Sequence, residues 1–513
     1  MESTELSAPP ARAGTSADAA APQSEGLRKN ALGTWGIVFM VISAAAPLTI
    51  VAGVAPLAIL IGGIGAPVVY TIAGIILGIF AIAFMAMTRY VKALGGFYTY
   101  ITHALGKAVG LGSSFVALVS YNALQIGLYG LLGAQGHDLL KNEFGIDVPW
   151  WVIALVGILA VFIVAYRGVD IGAKVLGVLL VAESLILVIF AIAVLVQGGA
   201  QGITFGTFNP TALFNPGMFA ILGVGFAAFM GFESTALYRE EARNPNRTIP
   251  RATYISVAFM AIFYGFVIWA VVIAVGETNA QAAAGKDTAG LVFAQAGHYL
   301  GPWAELVMYL LILTSVYASQ LAFHNAINRY TYSLARDRVL PRILHRTNPK
   351  TGSPYVSGIV QTVLAVIVVG IFAIANGDPY LQLLLWVNSP GVLGIILLQV
   401  ITCVAVVVFF VRRRDLPRAW YVIPCAVVAG IAQIVVLYVL CSSIDLLTSG
   451  GPVVDTIVLA AIPITFLVGV ILAVVWKRTR PEVYAGIGGS AEEDPADAVD
   501  AKVRATGAGA SHV

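Results

Sequence analysis

Apolar runs of membrane length, separated by short polar links, dominate the chain from Thr34 to Trp476. About 20 consecutive apolar residues cross a bilayer's hydrocarbon core as a helix. Runs of this kind recur at 34–61, 66–88, 110–135, 149–166, 172–197, 216–239, 252–275, 302–328, 355–376, 380–410, 420–441 and 455–476. The pattern predicts an all-α integral membrane protein with twelve transmembrane helices. Lys and Arg set the orientation. With the N-terminus inside, all of the 29 basic residues except Lys141 and Lys286 fall in cytoplasmic loops or tails. Basic residues favour that side strongly, and one span missed or invented early would scramble the bias. The expectation is a multi-pass protein of the plasma membrane with both termini cytoplasmic.

Composition agrees with this reading. Apolar residues make up 59% of the chain and charged residues 11%, where a soluble domain is about a quarter charged. Cys403, Cys425 and Cys441 lie in apolar runs without metal-ligand spacing, as small buried hydrophobes do. Residues 1–30 and 480–513 carry too little apolar surface to fold alone. They are expected as disordered cytoplasmic tails around a ten-helix core at 31–410 and two last helices within 411–479. No short apolar run with a small-residue cleavage site follows Met1, so no cleaved signal peptide is expected.

Two of the spans cannot be uninterrupted helices. The sixth is broken at bilayer depth by Gly231, Phe232, Glu233 and Ser234, and a carboxylate there needs a partner, water or a ligand. The first reads TWGIVFMVISAAAPLTIVAGVAPLAIL. Its Pro47 removes an amide donor and clashes with the carbonyl four residues back. Irregular backbone at that depth survives only where it is buried in protein or lines a cavity. Interruptions five spans apart predict a five-plus-five inverted repeat with the site at the interface of the repeats. Polar links at Gly95–Lys107 and Thr278–Gly301 follow the second span of each repeat and share the echo HALG and HYLG.

Three separated motifs carry a resemblance. GFES with EEARNPNRTIPRA follows the sixth break, GGFYTYITHALG occupies 95–106, and NRYTYSLARDRVLPRILHRTNPKTGSP occupies 328–354, with Arg329, Asp337 and Pro341 in matching places. Together they resemble the amino acid–polyamine–organocation permeases over roughly residues 33–410. The resemblance implies a secondary active transporter that imports amino acids by alternating access. It implies that amides freed at the first break meet the substrate carboxylate and carbonyls freed at the sixth meet its ammonium. At the first break the family's glycine-serine-glycine type motif is replaced by Ser43-Ala44-Ala45-Ala46-Pro47-Leu48-Thr49. Pro47 offers no amide and alanine is less permissive than glycine, so the carboxylate-binding half departs from the pattern.

The substrate-binding candidates are Ser43, Ala46, Pro47 and Thr49 of the first span, Tyr121, Asn122 and Gln125 of the third, and Phe226, Phe229, Gly231, Phe232, Glu233 and Ser234 of the sixth. Tyr121 and Gln125 stand four apart and share a helix face. Glu233 has two readings: it faces a substrate ammonium or coupling proton, or it caps the outgoing half-helix, where an acid is favourable anyway. Glu183 is the second intramembrane acid, placed where relatives tend to hold a lysine, and Thr314 and Ser315 could add oxygens from the eighth span. Glu183, Glu233, Thr314 and Ser315 are therefore the ion-coupling candidates, with a proton expected over sodium. Gln320, His324 and Asn328 form one face near Arg329, expected as a solvated vestibule. Arg239, Glu240, Glu241, Arg243 and Arg247 are expected as an anchoring ion-pair network at the inner membrane edge.

Other classes fit less well. Gly106-Lys107 and Gly285-Lys286 lack the earlier glycine and following hydroxyl of a phosphate loop. No catalytic or metal-ligating cluster is visible, nor a repeated selectivity filter. The expected partners are a small-molecule amino acid or amine, a coupling proton or sodium ion and the lipid bilayer, with no cofactor, metal or nucleic acid. A polyamine or other amine permease, a sodium-coupled carrier or exchanger, and a permease-like sensor that binds without flux remain the alternatives.

Overall fold

The computed structural model describes residues 27, 30–92, 95–413, 416 and 419–489. Among them the fold is all-helical, with one isolated backbone bridge between Leu32 and Ala242. The helices used below are α1 (Thr34–Ala45), α2 (Ala55–Gly62), α3 (Ala66–Met87), α4 (Phe97–Leu105), α5 (Lys107–Phe144), α6 (Trp150–Tyr166), α7 (Val169–Gln197), α8 (Leu222–Ala227), α9 (Pro245–Val275), α10 (Pro302–Arg336), α11 (Tyr355–Ile374), α12 (Leu385–Arg412), α13 (Ala419–Ser442), α14 (Gly451–Thr479) and α15 (Pro481–Gly486). Ten helical stretches among the described residues are long and apolar enough to cross a membrane. The first of these, Thr34–Met87, is 54 residues long, far beyond the roughly 20 that one crossing needs. It is interrupted at Ala46 and again at Gly63, where φ is +74°. The apolar α6 is shorter, at 17 residues.

The buried centre is formed by α1, α5, α10 and α12, whereas α11, α13 and α14 turn residues such as Ile374, Trp420 and Tyr438 outward. Lipid tails are as apolar as leucine, so close contact between membrane helices depends on small residues. Helix α5 supplies them on two faces. A Cβ at Gly130 would lie 2.3 Å from the Pro379 carbonyl oxygen, and one at Gly127 would lie 2.9 Å from the Asn388 Cβ. On the other face Gly112 meets Gly469 of α14, where a Cβ would come within 2.7 Å of the Gly112 Cα. These glycines bring α12 against α5, which places Asn388 and Ser389 beside the central cavity.

The charged end is held by pairs between elements. The Glu241 carboxylate takes a two-pronged contact from Arg329, both fully buried, and the guanidinium lies 4.9 Å from the Tyr238 ring centroid. A buried pair of this kind is costly to break because one partner would be left as an uncompensated charge. Glu240 accepts from Arg336 at 2.7 Å. Arg239 donates to Asn246 at 2.9 Å and Arg243 to the Asn30 carbonyl at 3.0 Å. The expected cluster thus reaches outward to α10, to the start of α9 and to the lead into α1.

Two expectations need correction. Gln320, His324 and Asn328 do not line a solvated vestibule: all three are buried, with Gly358 of α11 against His324 and Asn328 and Gly157 of α6 against Gln320. The stretch expected as a C-terminal tail is packed as far as Gly489, with α15 helical and Ile487 buried. Residues 490–513, and nearly all of 1–30, lie outside the described residues.

That packed stretch is held by a titratable contact. The Gly488 N–H donates to the Tyr98 hydroxyl at 2.5 Å, and Tyr98 donates to Asp337 at 2.9 Å. The Gly489 N–H also donates to Asp337, at 2.9 Å. Burial pushes the Asp337 carboxyl up from 3.8 to about 6, against the opposing pull of the Tyr98 hydrogen bond and Arg336. A folded-state value above the free one means that the folded form binds the proton more tightly. The Gly488 and Gly489 amides favour the ionised carboxylate, but burial outweighs them, so global stability should gain from this group as pH falls through 6, with the gain complete below 3.8. The melting temperature in detergent should rise more between pH 7.5 and pH 5 in the parent protein than in Asp337→Asn. An equal change in the two proteins would contradict the assignment.

Candidate functional site

The two breaks meet. At the first, Ala46 takes φ +50°, ending α1, and Pro47 begins a loosened turn that runs as a π-helix over Thr49–Val54. At the second, α8 gives way to turns and then to a 3-10 helix over Phe232–Tyr238, with Gly231 at φ +105°. Only glycine adopts that backbone readily. A Cβ there would also lie 2.7 Å from the Ala44 Cβ, so the Gly231 hydrogen is what lets the breaks abut.

Each break frees amides, and each freed amide has found an acid or a hydroxyl. The Leu48 N–H donates to Glu183 Oε2 at 3.2 Å, and the Thr49 N–H to Ser315 Oγ at 3.3 Å. The Thr49 hydroxyl donates to the same Ser315 oxygen at 3.1 Å, which leaves the Ser315 hydrogen free for the neighbouring Glu183. Glu183 Oε1 is buried without a partner. At the other break, the Gly231 N–H is shared by both Glu233 oxygens at 3.2 Å, and Tyr121 donates to Glu233 Oε1 at 2.9 Å. Both carboxylates are buried at helix N-termini, where the backbone dipole favours negative charge.

Beside the paired breaks lies a cavity of about 170 Å³. A dry cavity of about 150 Å³ is enough to hold a benzene-sized molecule. Ala44, Ala45, Ala46 and Thr49 form one wall, and Ala227, Ala228 and Met230 another. Ser319 and Phe323 of α10 close the side, with Ser319 donating to the Ala44 carbonyl at 2.5 Å. Most of the rest is aliphatic: Ile50, Val54, Leu57, Leu124, Leu128, Leu131, Leu384, Val392 and Leu440 all line it, and no charged side chain does.

Of the residues singled out from sequence, Ala46 and Thr49 line this cavity. Ser43 instead donates to the Leu176 carbonyl of α7 at 3.3 Å, and Pro47 is buried in the turn. Gly231, Glu233 and Ser234 build the second break, with Ser234 donating to the Gly231 carbonyl at 2.6 Å. Phe229 packs edge-on against Tyr264 at 5.8 Å and Phe232 against Phe80 at 6.0 Å, while Phe226 is buried away from the cavity wall. Tyr121 reaches the site through Glu233. Asn122 bonds back to Leu118, and Gln125 joins Tyr129, Gln320 and Gln361 in a separate buried network. Ser315 stands with Glu183, but Thr314 bonds back to the Leu311 carbonyl at 2.8 Å, on its own helix. Among the described residues no three His, Cys, Asp or Glu side chains form a metal-ligand set.

Sequence reasoning missed the contribution of the tenth span. Tyr380, Asn388 and Ser389 line the cavity, and Tyr380 donates to the Gly53 carbonyl at 3.3 Å. The signal was present as Asn388-Ser389-Pro390, a polar pair before proline in an otherwise apolar run.

Capping by Glu183 has a measurable consequence. Glu183→Ala leaves the Leu48 amide buried without an acceptor, at a cost of about 1–3 kcal/mol. Glu183→Gln retains a carbonyl acceptor and should lose less. Thermal unfolding in detergent should therefore rank the parent protein above Glu183→Gln and Glu183→Ala lowest. An alanine variant as stable as the parent would show that the amide is satisfied in another way.

Comparison with known proteins agrees with this architecture. A family model described as amino acid permease matches residues 32–475. A branched-chain amino acid permease, BcaP, of Lactococcus lactis subsp. cremoris is 26% identical over 376 residues, covering 69% of this chain and 77% of the relative. BcaP of Bacillus subtilis is 22% identical over 402 residues, covering 74% of this chain and 80% of the relative. The lysine-specific permease LysP of Lactococcus lactis subsp. cremoris is 24% identical over a shorter stretch, 43% of this chain and 46% of the relative. The match across most of the chain, on a bundle of membrane-length helices broken at two facing points, identifies the protein as a member of the amino acid permease family within the amino acid–polyamine–organocation superfamily.

Proposed function

We propose that the protein is a proton-coupled carrier of amino acids with aliphatic side chains, working by alternating access in the plasma membrane. The observation that carries this reading is the lining of the central cavity, which is mostly aliphatic and free of charged side chains. A polyamine or lysine would bury an ammonium among leucines, at a cost of several kcal/mol unless paired. A leucine, isoleucine or valine side chain meets no such penalty. The two relatives named as branched-chain permeases support the same class.

The polar ends of the substrate fall to the breaks. Its ammonium suits the turn at Ala228 and Met230, where α8 has ended, and its carboxylate suits the amides of Leu48 and Thr49. Glu183 already occupies one of those amides, and this supplies the coupling. Ionised Glu183 competes with the substrate carboxylate for the Leu48 N–H; protonated Glu183 is a weaker acceptor and releases it. Proton and amino acid then bind together. Sodium fits less well, because the N–H groups of Leu48 and Thr49 point toward the acid and its hydroxyl neighbour, whereas a sodium ion wants acceptor oxygens. Glu233 keeps its place as the cap of the second break and moves with it. In this reading the chain crosses the membrane twelve times as two inverted five-helix repeats plus two helices, with both ends inside.

Uptake into proteoliposomes separates the possibilities. Leucine, isoleucine and valine should accumulate under an inside-alkaline pH gradient and not under a sodium gradient, while lysine and putrescine should not accumulate under either. Glu183→Gln should abolish uphill accumulation yet retain leucine counterflow. Accumulation driven by sodium alone would overturn the proton assignment, and transport of putrescine in preference to leucine would overturn the substrate class.

A further inference from the structure

Away from the central cavity, a groove of about 980 Å³ opens at the basic end of the bundle, between the start of α1 and α7. Its floor is made of small residues, Gly36, Ala173 and Gly177, and a Cβ at Gly177 would meet the Phe39 ring at 2.8 Å. Val178 and Val181 form its outer wall and are 70% and 56% exposed. Valines exposed to that degree on a membrane-length helix face acyl chains, so the groove opens sideways toward the bilayer as well as toward the aqueous edge.

At the mouth stand Lys174 and Arg243. The Arg243 Nε donates to the Asn30 carbonyl at 3.0 Å, which holds the guanidinium at the rim. Neither cation has an ion-pair partner among the described residues. This differs from Arg329 and Arg336 nearby, each of which is matched to a glutamate. Trp35, 62% exposed and 6.2 Å from the Phe39 ring, marks the depth of the groove, since exposed tryptophans on membrane helices sit at headgroup level.

We propose that this groove binds an anionic phospholipid, its phosphate on Lys174 and Arg243 and one acyl chain laid over Gly177 against Val178 and Val181. Basic pockets between transmembrane helices on the cytoplasmic side take acidic headgroups. A soluble anion would leave the apolar wall unused, and a peptide would need backbone partners that glycine, alanine and valine side chains do not offer. The site also joins the two broken spans. The Arg243 N–H donates to the Leu32 carbonyl at 2.8 Å and the Leu32 N–H to the Glu241 carbonyl at 2.9 Å. The lipid therefore bridges α7 to the paired lead-in of the first broken span and exit of the second.

The test is native mass spectrometry of the detergent-purified full chain titrated with phosphatidylglycerol and, separately, phosphatidylcholine. The parent protein should retain phosphatidylglycerol in preference to phosphatidylcholine. Lys174→Gln and Arg243→Gln should each weaken that retention about five-fold, while Arg478→Gln, a basic residue of α14 outside the groove, should not. Both substitutions keep the backbone bonds, and Val181→Trp, which fills the acyl channel without changing charge, should also displace the lipid. Equal retention of the two lipids, or equal loss in Arg478→Gln, would reduce the effect to general surface charge and overturn the site. Deleting residues 2–26 should leave binding unchanged; a gain on deletion would assign the groove to the N-terminal segment instead.

Discussion

A helix broken inside a membrane releases backbone amides that water cannot reach, and the centre of this protein is organised by where those amides go. Leu48 gives its N–H to Glu183, and Gly231 gives its N–H to Glu233. Neither acid would be tolerable alone at that depth, and neither amide would be either. Together they satisfy each other, with a hydroxyl from Ser315 or Tyr121 beside each carboxylate. The arrangement explains why two acids stand in spans otherwise almost free of charge. It also explains why Ala46 and Gly231 sit in left-handed backbone conformations within an apolar core.

This pairing changes the meaning of the altered first break. Seen as sequence, Ala44-Ala45-Ala46-Pro47 removes glycine freedom and one amide donor from the place where a substrate carboxylate should bind. In the folded chain, the donors that remain are those of Leu48 and Thr49, and one of them is held by a glutamate. The loss of a permissive loop and the presence of a buried acid at Glu183 are thus two sides of one local solution. The largely aliphatic cavity beside it, also lined by Thr49, Ser319, Tyr380, Asn388 and Ser389, completes the setting.

The parts of this picture that depend on local chemistry were legible in the chain. Membrane-length runs, the interruption by Pro47 and the interruption at Gly231 follow from residue type and depth, whereas Thr314 and Ser315 look alike in the chain and only packing sets Ser315 against Thr49. The parts that depend on packing were not. Glu183 meets an amide 135 positions away, and nothing in its own span announces that partner. Gln320, His324 and Asn328 look like a wet face because polar residues recur on one side of a helix; they are buried because Gly358 lets α11 close over His324 and Asn328, while Gln320 lies against Gly157 of α6. Likewise α15 looks too polar to fold alone, and it does not fold alone, since Ile487 and the Gly488 amide use surface supplied by α4 and α10.

If the cavity between the two breaks holds an amino acid by its backbone, with Glu183 yielding an amide to the substrate carboxylate, a cryo-EM map of the protein saturated with leucine will show it. Density is expected between Ala46 and Ala227, with the carboxylate within hydrogen-bond distance of the Leu48 and Thr49 amides and Glu183 withdrawn from Leu48. Leucine bound elsewhere, or bound here with the contact from Leu48 to Glu183 intact, would contradict it.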